Sequence, residues 1–179
     1  MMLNLRTALF AAASLALSGA AHGQEAPAST LPGGASLVTE THGDWTVTCT
    51  TPASGKQCAF SQALADSQSG QRVLMLELTP PQDGTLAGML VGPFGLNFAN
   101  GLALAVDGEG LGAPLPFLTC IPTGCLVPLS FDSAQLDQLK AGATLTATGI
   151  GADTQQPVPI SVSLTGFTRA LERTAELAQ

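Results

Sequence analysis

The chain has 179 residues, a formal net charge of −7, and only six basic residues against thirteen acidic ones. So few lysines and arginines leave no basic patch to neutralise phosphates, which excludes nucleic acid as a partner. An anionic membrane surface would repel the chain as well.

The first element in chain order is an export address. Met1–Arg6 carries one positive charge, Ala8–Leu17 is an uncharged apolar run, and small residues dominate the stretch from Ser18 to Gly23. This layout predicts a secretory signal peptide over residues 1–23, cleaved after Ala21 or after Gly23. The apolar run is shorter than the roughly 20 helical residues that span a bilayer. No cysteine follows it to carry a lipid, so a lipoprotein is not expected. The expected location is the periplasm or the extracellular space, with no stable membrane anchor after cleavage. Losing Arg6 with the peptide takes the formal charge from −7 to −8. Residues 24–36, rich in Pro, Ala, Ser and Gly, read as a flexible leader. Residues 37–179 read as a single domain, long enough to bury a sizeable core.

Short strands separated by turn residues follow. Asp44–Thr50 alternates, with Trp45, Val47 and Cys49 on an inward face and three threonines outward. Lys56–Leu64, Arg72–Leu78, Leu86–Val91, Leu102–Val106, Pro116–Cys120, Cys125–Leu129, Ala143–Thr148 and Val158–Leu164 also read as strands. Two short helices are expected. One is Ala134–Lys140, capped by Asp132 or Ser133 and ended at Gly142. The other is Thr165–Leu177, with Phe167, Ala170, Leu171 and Thr174 at helical spacing. The sum is an all-β protein, a sandwich or barrel, with two short helices, one of them C-terminal. The charge-free stretch Leu86–Val106 is interrupted by Gly88, Gly92, Pro93, Gly95 and Gly101, which argues against a membrane helix.

The four cysteines are local pairs in an exported chain, which predicts two disulfides. Cys49 and Cys58 are symmetric about Ala53–Ser54, so a hairpin sets them opposite each other. Cys120 and Cys125 bracket Ile121-Pro122-Thr123-Gly124, where Pro and Gly suit a type I turn. Each closes a short loop and should add about 2–3 kcal/mol. Their spacing does not suit zinc, and no metal or cofactor is implied.

Catalytic groups are sparse. His42 is the sole histidine beyond the leader, with no Gly-x-Ser-x-Gly elbow to serve. Asp107 and Glu109 lie close together in a turn, too few oxygens for Ca²⁺ and most simply read as a solvated hairpin tip. The chain is therefore expected not to be an enzyme. The apolar loop Gly92–Gly101 is the candidate binding surface, with Phe94, Leu96 and Phe98 in it and Phe117 as a further anchor.

Several of these pieces combine. They are Gly43-Asp44-Trp45-Thr46-Val47-Thr48-Cys49, then Cys58, Gly95-Leu96, Gly101, Val106-Asp107 and Pro116-Phe117. Cys120 and Gly124-Cys125 follow, and the tail is Ser163-Leu164-Thr165-Gly166-Phe167-Thr168 with Ala170-Leu171. In this combination, over Thr39–Glu172, the chain resembles the invasion-associated locus B family of exported bacterial proteins. The resemblance implies an immunoglobulin-like antiparallel β-sandwich, disulfide-bonded cysteines, and a link to host-cell invasion in some members. It brings no catalytic residues. The expected function is an exported binding or adhesion module whose partner is a protein of the envelope or of a host surface. A structural or chaperone-like envelope protein is the alternative, followed by a carboxylate hydrolase. Nothing in the sequence sets the oligomeric state.

Overall fold

A computed structural model describes residues 30–179; the expected signal peptide lies outside them. Two antiparallel sheets form the fold. The larger takes β1 (Leu37–His42), β2 (Trp45–Thr50), β3 (Gln57–Ala65), β4 (Arg72–Leu78) and β5 (Leu86–Gly92) as a meander. The smaller takes β6 (Ala103–Val106), β7 (Glu109–Gly110), β10 (Thr144–Ile150) and β11 (Pro157–Ser163). The larger is completed by β8 (Thr119–Ile121) and β9 (Gly124–Phe131). Strand order is β1-β2-β3-β4-β5-β9-β8 in one sheet and β11-β10-β6-β7 in the other. Helix α1 (Ser133–Ala141) links β9 to β10, and α2 (Phe167–Ala178) ends the chain.

The alternation seen in the sequence places the core. Trp45, Val47 and Cys49 are fully buried, as are Leu74, Leu76 and Leu78 on β4. They join Leu104 and Val106 of β6, Leu145 and Ala147 of β10, and Val162 of β11 in one hydrophobic core. Both sheets therefore bury their inner faces in one sandwich interior. The capping box at α1 forms as expected: the Asp132 carboxylate accepts from Gln135 N–H while the Gln135 side chain returns to the Asp132 N–H. Both hairpin disulfides form, with Cys49 opposite Cys58 and Cys120 opposite Cys125 in the strand register. Leu86–Val106 forms β5, a loop and β6. Among the described residues no helix is long and apolar enough to cross a membrane.

Two expectations shift, and a third gains a contact. The domain starts earlier than Leu37, because Leu31 is only 2% exposed and sits in the core. Strand β1 precedes the expected first strand. Asp107 is exposed at its hairpin tip as expected, but it is also bonded: its two carboxylate oxygens accept the backbone N–H groups of Ala143 and Thr144, both at 2.9 Å. It ties the β6–β7 turn to the start of β10.

The two ends of the domain meet at one crossing. The β1–β2 turn lies backbone against backbone on the link between β11 and α2, with Asp44 N–H donating to the Thr165 carbonyl. A Cβ on Gly166 would collide with the His42 carbonyl, and one on Gly43 with the Thr165 carbonyl. Gly166 also has φ +89°, where other residues are strained. Above the crossing, the rings of Trp45, Phe60 and Phe167 pack in a triangle with centroids 5.3–5.6 Å apart. Gly166→Ala is expected to lose about 3 kcal/mol or more, from overpacking plus a forbidden φ. Gly84→Ala, at φ +79° with open space around it, should lose only about 1 kcal/mol. Urea unfolding of the two variants measures the difference.

Candidate functional site

The chain between residues 84 and 106 and that between 110 and 131 carry no charge. The fold brings them together around the β5–β6 loop and the β8–β9 hairpin. Here Phe94 is 59% exposed, Phe98 45%, Leu118 64% and Ile121 41%. Phe117, half-buried, stacks flat on Phe98 with centroids 4.5 Å apart and planes 10° apart. Among the described residues, four of the five exposed large apolar side chains thus lie on these two segments, the fifth being Leu37 on β1.

Leu96 does not belong to this surface. An extended segment would put residues 94, 96 and 98 on one side. Gly95 at φ +80° breaks that alternation, so Leu96 turns inward, 7% exposed, and packs on Gly149. Sequence spacing alone carried no sign of this. The inward Leu96 also anchors the loop. Asn97 N–H donates to the Ile150 carbonyl at 2.7 Å, and Ala152 N–H to the Gly95 carbonyl at 2.8 Å. On the other side Leu102 and Leu115 exchange two backbone hydrogen bonds, a close approach that leaves no room for a Cβ at Gly101. Asn97 caps the short turn Phe98–Asn100 by accepting from Ala99 N–H. The aromatic rings are therefore held on a hydrogen-bonded platform.

Beside Phe94 opens a cleft of about 390 Å³ between the β3–β4 turn and the β8–β9 hairpin, with Arg72, Val73, Val91, Pro93 and Thr123 on its walls. Asp66 at its rim is spent on its own turn. It accepts from Gln68 N–H, Ser69 N–H and the Ser69 hydroxyl, and these bonds lower its pKa.

The remaining ionisable cluster lies on the other side of the large sheet. The Glu40 carboxylate on β1 takes a bidentate pair from Arg173 of α2, both contacts 2.8 Å, and also meets His42 Nε2 at 3.3 Å. The Arg173 guanidinium, with burial opposing and His42 assisting, holds the Glu40 carboxyl down at about 2. This histidine is thus part of an ion-pair network that docks α2 on β1. Gln62, 5% exposed, was not legible as important. Its amide donates to the Ser163 carbonyl and accepts the Ser163 N–H, while Trp45 Nε1–H donates to the same carbonyl.

Fold and surface together define a small disulfide-stapled antiparallel sandwich that presents an uncharged aromatic rim at one margin. Known proteins place it further. Residues 45–175 match the family described as invasion associated locus B (IalB) protein. An invasion protein B homolog of Brucella abortus is 42% identical over 85% of this chain and 87% of its own length. Invasion protein B of Bartonella bacilliformis is 34% identical over 92% of this chain and 93% of its own. The crystal structure of invasion associated protein b from Bartonella henselae superposes with a TM-score of 0.73 at 30% identity, covering 78% of this chain and 96% of that one. The chain belongs to the invasion-associated locus B family.

Glu40 sets a pH dependence. Its folded pKa near 2 lies below the ordinary 4.5, so its contribution is complete above 4.5 and is lost as pH falls through 2. Glu40→Gln is expected to lower Tm at pH 7 by no more than about 4 °C, since the pair is partly solvated. It should also flatten the loss of stability on acidification, measured by thermal melts across that range.

Proposed function

We propose that the protein is an exported, non-enzymatic binding module that engages a protein of the cell envelope or of a host surface through the rim around Phe94 and the Phe98–Phe117 stack. The observation that carries this reading is the exposure of large aromatic side chains on a backbone fixed by hydrogen bonds. Monomeric soluble domains seldom leave such apolar groups together in water without a use for them. Aromatic residues in a charge-poor patch supply most of the binding energy at protein interfaces. A platform already held in place loses little conformational entropy on binding. The relatives' names, which tie them to invasion, support a partner on a cell surface. The net charge of −7 argues against nucleic acid.

A photo-activated benzophenone side chain at Phe94 or Phe98, in intact cells, should give a discrete adduct with one protein. The same probe at Asp83, in the turn at the opposite end of β4 and β5, should give none. Phe94→Ala with Phe98→Ala should weaken the identified interaction at least about tenfold while changing stability by no more than about 1 kcal/mol. Equal, diffuse adducts at all three positions would remove the rim as the binding surface.

A further inference from the structure

Among the described residues the two sheets expose four edges, and three of them are closed. β7 is two residues long and β8 three, too short to template another strand. β11 carries Pro157 and Pro159. They share a register row with Ser161 and Ser163, and Ser163 turns its N–H and C=O to Gln62 and Trp45 rather than to β10. The outward row of β11 therefore lacks two donors to proline and has a third residue occupied, a known block to edge pairing.

The fourth edge, β1, has none of these devices. It runs six residues, Leu37–His42, without proline, glycine or lysine. Its one formal charge, Glu40, faces inward and is held by Arg173. The direction of its backbone groups follows from the hairpin. His42 and Trp45 flank a two-residue turn and form a hydrogen-bonded pair, so Glu40–Val47 and Val38–Cys49 do too. The bond from Thr51 N–H to the Ser36 carbonyl continues the same phase. Leu37, Thr39 and Thr41 consequently aim their N–H and C=O groups away from β2, and their side chains are exposed.

We propose that β1 is a self-pairing edge, at which two copies of the chain join β1 to β1 antiparallel about a two-fold axis at Thr39. Charge selects this register. A pairing centred on Glu40 would set two carboxylates opposite each other, and one centred on Val38 would leave Thr41 outside the strand pair. Centred on Thr39, Thr39 meets its own copy, Leu37 meets Thr41, and Glu40 meets Val38. Every outward backbone group of β1 then finds a partner, and Leu37, 56% exposed in the single chain, gains a cross-strand neighbour. The interface is isologous and closed. It lies at the opposite edge of the sheet from β8, so it leaves the aromatic rim free and makes the assembly bivalent. It does not depend on the binding function proposed above.

Sedimentation equilibrium of the exported, oxidised protein over a wide concentration range tests the pairing. A reversible dimer is expected, tightening as added salt screens the acidic chains from each other. Thr39→Pro removes an outward N–H that makes no bond among the described residues, and should be monomeric with its melt preserved. Thr39→Lys keeps the N–H but sets two ammonium groups across the axis, and should also be monomeric; it covers the case in which the proline variant folds poorly. Thr39→Cys should form a covalent dimer, since paired Cα atoms across such a site lie about 5.5 Å apart, whereas Thr41→Cys, facing Leu37, should not. A wild-type monomer at every concentration overturns the proposal, including one that takes a strand from another protein. A dimer unaffected by both Thr39 variants, or one cross-linked as readily through Thr41, overturns it equally.

Discussion

The domain depends on one backbone crossing, where the β1–β2 turn and the β11–α2 link pass in direct contact. Glycine is needed on both sides, at Gly43 and Gly166, because either Cβ would strike a carbonyl of the other segment. The contact is polar as well as close. Ser163 offers one N–H and one carbonyl, and Gln62 and Trp45 satisfy both inside the core. A buried amide left unpaired costs about 1–3 kcal/mol, so the crossing fixes how β11 approaches the large sheet. Phe167 then falls between Trp45 and Phe60, α2 lies over the inner face of β1–β3, and Arg173 reaches Glu40. Residues more than a hundred positions apart are locked into a single corner.

The motif residues that mark the family sort into two groups on this scaffold. Gly43-Asp44-Trp45 and Ser163 through Phe167 build the crossing. Gly95, Gly101, Pro116-Phe117 and Gly124-Cys125 shape the rim at the other margin. A Cβ at Gly124 would sit 2.5 Å from the Gly92 carbonyl, so the disulfide hairpin lies directly on the end of β5. Neither group contains a set of converging acid, base and nucleophile. The ion-pair network of Glu40, His42 and Arg173 joins the C-terminal helix to the first strand, which is a docking role. What the scaffold delivers to solvent is a hydrogen-bonded, uncharged aromatic margin on one edge of the large sheet and, on the other, a strand whose outer edge is unpaired among the described residues.

The edges show the same economy of means. Proline in β11 and brevity in β7 and β8 prevent unwanted pairing. The outer face of β1 and β2 is instead a run of threonines, Thr39, Thr41, Thr46, Thr48 and Thr50. These side chains favour extended backbone and carry no charge to repel a neighbour.

How far the sequence reaches depends on whether the interactions that decide an element are local. The disulfides were legible because each pair spans one hairpin, with a register set by its own turn. Strands β2, β4 and β11 were legible because their inner residues are apolar and alternate. β1 was not, since its inward positions are Val38, Glu40 and His42, and the partner that makes a carboxylate acceptable there, Arg173, lies 133 residues away. Leu96 was misplaced because period-two spacing assumes extended backbone, and one positive φ at Gly95 reverses the face. Gln62 drew no reading from the sequence and Asp107 read only as a hairpin tip, because Ser163, Ala143 and Thr144, which they bond, are distant in the chain. Composition, alternation and cysteine spacing thus determined an all-β, disulfide-bonded chain, because those signals act between near neighbours, while the family came from the resemblance of its combined motifs. Which aromatic rings face water, which glycines bear a crossing and which edge stays open were decided only by tertiary contact, because each depends on a segment that the local sequence does not contain.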